Sequence, residues 1–211
     1  PEMQRRGIGR ALMSHLLAWA DARGCPTIVL DATPEGAPLY EQFGFIDDGL
    51  TSQWNRYPSS LPAPLYPQSS LHIEALRPGD LPELTSFDAR SSSVQRARML
   101  DLFLTSYAGR AFIARDNECH IQGYLFVQEH TLGPWIAASE QAAELLLRHA
   151  LEHTIHADAC NVLSPIANSS AEALFEHYGF QHYRALRYMR RGQPLKQELT
   201  TIYAIASYAI G

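Results

Sequence analysis

Residues 4–10 (QRRGIGR) place two glycines and three arginines at the start of a predicted helix. Glycine has no Cβ, so the backbone can approach a ligand closely. Free N–H groups and the helix dipole make a helix N-terminus an anion site, and guanidinium groups suit phosphate oxygens. The segment therefore predicts a phosphate-binding loop. A glycine pair before a helix is also typical of an ordinary tight turn.

The elements after this loop form a short series. Residues 7–23 have apolar side chains at helical spacing, and Gly24 is suited to end that helix. Residues 27–32 (TIVLDA) predict a strand buried on both faces of a parallel sheet. Thr33 predicts the N-cap of a short helix that stops at Gly44.

The first segment ends in β structure and is followed by a linker. Residues 45–57 predict a pair of β segments around Asp48 and Gly49. Residues 58–70 contain four prolines and four serines, which is typical of an extended connection between domains. The sequence therefore divides into residues 1–57, the linker 58–70 and residues 71–211. We call the first and last of these the first repeat and the second repeat.

The second repeat carries a longer series of predicted elements. In chain order they are a strand at 72–76, helices near 80–88 and 93–106, strands at 110–115, 120–128 and 132–138, a helix capped by Ser139, a strand at 161–166, a helix capped by Asn168 and a β segment at 180–190. The apolar residues 202–210 are expected to pack back on the body of the protein.

The two repeats are related by sequence. Residues 39–45 (LYEQFGF) match residues 174–180 (LFEHYGF) at an offset of 135, and the preceding helix and strand match at 133. Because the order of elements also matches, we interpret the pattern as an internal duplication. The first repeat then contains only the later half of the unit. We expect its earlier strands upstream of residue 1, because the chain also begins without a methionine.

The order Q-x-x-G-x-G, helix, apolar strand, short helix and L-Y-x-x-x-G-F resembles the cofactor-binding half of the GNAT superfamily of N-acetyltransferases. The resemblance is strong over residues 1–57 and looser over 72–192. It implies an α/β (α+β) fold with a mixed sheet flanked by helices, in a partial N-terminal copy and a more complete C-terminal copy. It also implies that acetyl-CoA is the cosubstrate and that its pantetheine arm lies between two splayed strands. The pyrophosphate-binding residues implied are Gln4, Arg5, Arg6, Gly7, Ile8, Gly9 and Arg10.

Tyr40 is the catalytic residue that the resemblance implies. A tyrosine at this place protonates the departing CoA thiolate, and a phenol of pKa ~10 is well matched to that leaving group. The alternative is a core tyrosine that anchors the short helix, and the two roles are compatible. No general base is assigned. His15 and Asp31 are interpreted as structural residues.

The second repeat departs from the pattern at its cofactor loop. At the offset of 133, Gly7 becomes Glu140 and Gly9 becomes Ala142, while Tyr40 becomes Phe175 at 135. A carboxylate at a pyrophosphate site repels the ligand. We therefore expect the second repeat not to bind CoA in the usual way. It could form a wall of the substrate cleft, stabilise the first repeat or hold a ligand of its own. Tyr178 is interpreted as a core residue.

Composition excludes several classes of protein. The net charge is −5 and charged residues make up 18%, which argues against nucleic-acid binding. The sequence lacks the run of eighteen or so apolar residues that a transmembrane helix needs. Its three cysteines have no metal-ligand spacing and predict reduced thiols in the cytoplasm. No metal, nucleic-acid or membrane partner is expected.

The sequence leaves three functions open. The leading hypothesis is an enzyme that moves an acetyl or other short acyl group from acyl-CoA to an amine of a small molecule or peptide. The second is a ligand-binding or regulatory protein without turnover. The third is an inactive fragment of the enzyme, in which the unpaired edge of residues 27–32 could pair with another copy.

Overall fold

We describe a computed structural model of the protein that covers residues 7–155 and 159–208. Gln4, Arg5 and Arg6 of the predicted loop lie outside this part. The first repeat contributes α1 (Ile8–Asp21), β1 (Thr27–Ala32), α2 (Ala37–Glu41) and β2 (Ile46–Arg56).

The second repeat follows the predicted order closely. Its elements are β3 (His72–Ala75), a 3-10 turn (Pro78–Asp80), α3 (Leu81–Ser92), α4 (Ala97–Ser106), β4 (Ala111–Arg115), β5 (Ile121–Val127), β6 (Thr131–Ala137), α5 (Glu140–His153), β7 (Cys160–Pro165), α6 (Ser169–His177), β8 (Gln181–Gly192), a second 3-10 turn (Leu199–Thr201) and β9 (Ile202–Ala204). Both predicted caps are confirmed. The Ser139 hydroxyl accepts a hydrogen bond from Ala142 N, and the Asn168 side-chain Oδ1 accepts one from Ala171 N.

Strands of both repeats join one mixed, mostly antiparallel sheet. Its order in the described chain is β1-β8-β2-β7-β6-β5-β4-β3, and β9 pairs separately with β6. The repeats exchange strands, because β8 lies between β1 and β2 of the first repeat. In the same way, β2 lies between β7 and β8 of the second repeat. This exchange fixes the two repeats relative to each other through backbone hydrogen bonds.

The strand pairing has the same symmetry as the sequence repeat. Ile46 pairs with Arg190 and Asn55 pairs with Gln181, and an offset of 135 converts each pair into the other. The short helices end alike, since Gly44 and Gly179 both have a positive φ, 81° and 77°. The backbone N–H of Phe45 bonds to Tyr40 O, as that of Phe180 bonds to Phe175 O. These shared details support the internal duplication.

Three local expectations were wrong. Helix α2 begins at Ala37 rather than at Thr33, whose hydroxyl instead accepts a hydrogen bond from Gly36 N in the preceding turn. Strand β2 is one strand rather than two segments. Because β8 pairs with it on both sides of Gly49, the predicted turn becomes a β-bulge. Strand β1 is not a strand of a parallel sheet buried on both faces, as residues 27–32 predicted. It pairs antiparallel with β8, its one strand neighbour in the described sheet, and most of its side chains are half-buried.

Two large hydrophobic clusters fill the second repeat, and a small one lies under α1 and α2. The small cluster contains Leu17, Ala32, Ala37, Phe45 and Met189. Met189 belongs to β8, so the second repeat supplies part of the first repeat's core. The helices α1 and α5 occupy equivalent positions but differ in burial. Helix α1 leaves large apolar side chains exposed, at Ile8, Leu12, Leu16 and Trp19.

Candidate active site

Helix α1 has an open N-terminus. Its N-cap is Gly7, whose φ of 77° favours glycine, and no side chain among residues 7–155 and 159–208 caps the helix. The first turn contains no acidic residue. The first N–H groups of a helix have no partner within it, and residues 7–10 are exposed. This helix end therefore offers free donors and a positive dipole end to an anion.

Gly9 and Tyr40 line the same groove. The groove has a volume of about 620 Å³, and its other walls come from α1 and from Leu39. A Cβ on Gly9 would stand 3.4 Å from a methyl carbon of Leu39, so the start of α1 and α2 lie within van der Waals reach of each other. The structure thus brings the end of the predicted loop to the predicted catalytic residue. His15 also lines the groove from an exposed position on α1.

Tyr40 is held by its ring and not by its hydroxyl. Its half-buried ring meets the ring of Phe45 edge to face, with centroids 6.0 Å apart. Its hydroxyl makes no hydrogen bond to the described residues. The ring therefore belongs to the small core, as the structural interpretation expects, while the hydroxyl remains available to a ligand. Both predicted roles are compatible with this geometry.

Arg10 reaches from the start of α1 to the end of α2. Its guanidinium donates a hydrogen bond to the side-chain oxygen of Gln42 and lies 5.8 Å from the ring centre of Phe43. Both partners are neutral, so the positive charge of Arg10 is not neutralised by them. It stays close to the open helix end.

A second cavity lies on the opposite face of β1. Successive side chains of a strand point to opposite faces. Ile28, Leu30 and Ala32 pack with α1 and α2, and Val29 and Asp31 line a cavity of about 480 Å³. Its other walls come from β2, β8, the turn that follows β7, the connection between α3 and α4, and the C-terminal segment. Both repeats therefore contribute to this cavity.

The sequence interpretation gave Asp31 no part in a site, and the structure places it in the wall of this cavity. Burial raises the pKa of its carboxyl group to about 6, against the opposing effect of a hydrogen bond from Thr51. Its buried Oδ1 atom has no hydrogen-bond partner in the part of the chain described. It does not cap the following turn, which Thr33 closes. The available signal was a single acid in an otherwise apolar strand.

The equivalent helix of the second repeat has a closed N-terminus. Ser139 caps α5, and Glu140 places a carboxylate in its first turn. That carboxylate accepts hydrogen bonds from the Tyr66 hydroxyl and from the Ser170 hydroxyl, the latter at 2.5 Å. The position where the resemblance places a pyrophosphate is therefore filled by protein groups.

The linker binds to the same helix. The buried Glu144 carboxylate accepts hydrogen bonds from Leu65 N at 2.6 Å and from Tyr66 N at 2.8 Å. It also accepts one at 2.7 Å from the hydroxyl of Tyr178, whose pKa burial and Glu144 raise to about 12. Tyr178 is thus a buried structural group, and the linker is docked against α5 at Leu65 and Tyr66.

The gap between β6 and β7 is also filled. These strands pair in parallel only at residues 131–132 with 161–162. Farther along, β9 pairs with β6, and Ile205 N donates a hydrogen bond to Leu163 O of β7 at 2.8 Å. The rings of Trp135 and Tyr203 stack with centroids 5.0 Å apart. The predicted packing of the C-terminal segment is confirmed for residues 202–208.

Across residues 7–155 and 159–208, no cluster of three or more His, Cys, Asp or Glu side chains could hold a metal ion. No helix in those ranges is long and apolar enough to span a bilayer. Cys25 and Cys119 are exposed free thiols, and Cys160 is a buried one.

Two family models match the sequence without overlapping. Both are described as an acetyltransferase (GNAT) domain. One matches residues 1–47 and the other residues 84–204, which is more than half of the chain. The matched ranges fall in the first and second repeat, respectively.

Curated relatives and solved structures agree with this family. An uncharacterized N-acetyltransferase, YitH of Bacillus subtilis, is 30% identical over 154 residues, which are 71% of this chain and 52% of the relative. A ribosomal protein bS18-alanine N-acetyltransferase of Escherichia coli is 38% identical over 63 residues, 28% of this chain and 41% of that protein. The chain thus spans about half the length of the curated relatives it matches. A putative acetyltransferase from Pyrococcus horikoshii has the same fold, with a TM-score of 0.79 at 24% identity over 99% of this chain and 68% of that one.

Proposed function

Because the chain belongs to the GNAT family of acetyltransferases, we propose that it transfers an acetyl or other short acyl group from acyl-CoA to an amine of a small molecule or peptide. The observation that carries this proposal is the open N-terminus of α1 beside the Tyr40 groove. Acetyl-CoA is the proposed donor, and the cytoplasm is the proposed location.

The donor's phosphates fit the start of α1. Uncapped N–H groups and a helix dipole stabilise an anion there, and the first turn contains no carboxylate to oppose it. We assign binding to the backbone of Gly7, Ile8 and Gly9 and to Arg10. Gln4, Arg5 and Arg6 complete the proposed loop.

The acyl transfer needs a proton at the leaving sulfur. When an amine nitrogen forms its bond to the acyl carbon, the carbon–sulfur bond breaks and leaves a thiolate. Tyr40 donates its phenolic proton to that thiolate, since its hydroxyl has no partner among the described residues and lines the groove that begins at Gly9.

We propose a different role for the second repeat. It forms a wall of the acceptor cleft, through the connection between α3 and α4 and the C-terminal segment.

The test separates an enzyme from a ligand-binding protein. In the full-length protein, acetyl-CoA is titrated by calorimetry, and turnover with an amine panel is measured for the wild type and for Tyr40→Phe. An enzyme that uses Tyr40 loses turnover in the variant and keeps its affinity for acetyl-CoA. A binding protein shows no turnover in either form. Absence of heat at millimolar acetyl-CoA would refute donor binding altogether.

A further inference from the structure

Arg10 lies in the first turn of α1, and two residues at the end of α2 hold its exposed side chain. Its guanidinium donates a hydrogen bond to the side-chain oxygen of Gln42 and lies 5.8 Å from the centre of the Phe43 ring. An arginine side chain has more rotamer freedom than most, and ordering it opposes the binding of a ligand. These two contacts order the side chain before a ligand binds.

The two residues that hold Arg10 are themselves fixed. Gln42 is the C-cap residue of α2, and the backbone N–H groups of Phe43 and Phe45 both bond to Tyr40 O. The Phe43 ring packs against the small hydrophobic core under α1 and α2. Because side chains in a core are closely packed, these contacts fix the charge of Arg10 relative to Tyr40.

The chemistry of the two partners leaves the charge of Arg10 available. A guanidinium has five N–H donors in a planar fork, and an amide oxygen occupies one of them without neutralising the group. An aromatic ring attracts the cation and has no net charge. The arginines of β8 differ, because Arg187, Arg190 and Arg191 pair with carboxylates at 2.6, 2.7 and 2.9 Å.

The second repeat lacks both members of this contact. At the offset of 135, Gln42 becomes His177, whose ring nitrogen lies 2.9 Å from Ala63 O of the linker. At the offset of 133, Arg10 becomes the buried Ala143. The repeat with the capped helix thus has neither the arginine nor its amide partner. This joint difference supports a joint role for the two residues at the uncapped helix.

We infer that Gln42 is a positioning residue of the donor site, which holds the Arg10 guanidinium toward a phosphate group of acyl-CoA. The inference rests on the proposed function, because it adds a residue to the same donor site. An ordered cation binds an anion more tightly, since less entropy is lost on binding. The amide of Gln42 leaves the charge to the ligand, whereas a carboxylate in its place would compete with the phosphate.

Substitutions at Gln42 test this role through the affinity for acetyl-CoA, measured by calorimetry in the full-length protein. Gln42→Ala should raise the Kd about three- to fivefold, and Arg10→Ala about tenfold or more. Because Gln42 acts through Arg10, the double variant should bind no more weakly than Arg10→Ala. Gln53→Ala is the matched control. It removes a hydrogen bond that Arg184 donates to another glutamine side chain, and it should leave the Kd unchanged.

Gln42→Glu separates the positioning of a charge from a structural link. A carboxylate pairs with Arg10 at least as well as an amide does, so the melting temperature should not fall. The Kd for acetyl-CoA should nevertheless rise about tenfold, because the new carboxylate competes with the phosphate for the guanidinium. A purely structural link predicts a Kd that does not rise in this variant.

Shortened donors show whether the effect depends on phosphate. Acetyl-dephospho-CoA lacks the ribose phosphate, and S-acetylpantetheine lacks every phosphate. The ratio of the Kd values of Gln42→Ala and the wild type should fall to one with S-acetylpantetheine. If it falls to one already with acetyl-dephospho-CoA, Arg10 faces the ribose phosphate. If it persists there, Arg10 faces the pyrophosphate.

Three results would overturn the inference. They are an unchanged Kd for acetyl-CoA in Gln42→Ala or Gln42→Glu, a further loss of affinity in the double variant, and an equal loss with S-acetylpantetheine. Each of them leaves the proposed function standing as long as the wild type binds acetyl-CoA. A wild type that binds no acetyl-CoA would refute the proposed donor site and this inference together.

Discussion

The equivalent helices of the two repeats differ at their N-termini, since one is uncapped and the other is capped. Helix α1 starts at a glycine, without a side-chain cap or an acid in its first turn. Helix α5 starts at Ser139 and Glu140, and the linker is docked against it through Glu144. The gap between β6 and β7 is occupied by β9. Among the described residues, the first N–H groups of α1 thus have no side-chain partner, whereas the start of α5 is capped by Ser139.

This difference shows how a duplicated unit can divide its tasks. The second repeat has the larger cores and supplies strand β8 to the first. It also contributes to the cavity that contains Asp31. The second repeat thus closes its own helix end and still contributes to a core and to a cavity of the first repeat. The predictions below alter one copy and use the other as a reference.

The largest effect is expected at Tyr40. Tyr40→Phe removes the proposed proton donor and should lower kcat about 100-fold in the full-length protein, with no change in the affinity for acetyl-CoA. Tyr178→Phe in the second repeat is the matched control. It removes a hydroxyl that donates to Glu144, so it should lower the melting temperature and leave kcat unchanged. A kcat that falls equally in both variants would assign Tyr40 a structural role.

Loss of the linker's acceptor should be the next largest effect. Glu144→Ala leaves the N–H groups of Leu65 and Tyr66 and the Tyr178 hydroxyl without their buried partner. We expect a loss of about 2–3 kcal/mol in the free energy of unfolding, measured with urea. Glu176→Ala, at an exposed position of α6, should cost far less. Equal losses would show that the linker contacts contribute little.

An acid at the start of α1 should make the first repeat resemble the second. Ile8 is exposed in the first turn, and Ile8→Asp gives that turn the charge that Glu140 gives α5. The Kd for acetyl-CoA should rise about tenfold. The helix should become more stable, by about 0.3–1 kcal/mol, through its dipole. Ile8→Asn is the control, because asparagine has the shape of aspartate without its charge. This variant should bind acetyl-CoA like the wild type. Equal affinity in all three proteins would remove the phosphate site from this helix end.

The smallest effect concerns stability and pH at Asp31. Its pKa is about 6 when folded and 3.8 as the ordinary value, so the folded protein holds the proton more tightly. Stability should therefore fall as pH rises from about 4 to about 6. Tyr188, Tyr208, Asp48 and Arg190 are ionisable groups in the same region. Above that range Asp31→Asn should exceed the wild type by about 1 kcal/mol, a figure discounted for the partial exposure of the carboxyl group. A difference that is constant with pH would contradict the raised pKa.

The sequence predicted most elements because each had a local signal. Each of these signals depends on a few neighbouring residues. They are the apolar spacing of α1, the caps at Ser139 and Asn168 and the repeated glycine at the end of the short helices. It did not predict the exchange of β2 and β8, since strand pairing is decided by contacts between residues far apart in the chain. The cavity beside Asp31 was not predicted for the same reason. This cavity is assembled from segments that only the exchanged sheet brings together.

The measurement that tests the central claim most directly is a calorimetric titration of acetyl-CoA in the full-length protein, with a substitution at the start of each helix. We predict one equivalent per chain. Its Kd should rise with Ile8→Asp and stay unchanged with Glu140→Gln. Two bound equivalents, or one whose Kd responds to Glu140→Gln and not to Ile8→Asp, would contradict the assignment of the donor site to the first repeat.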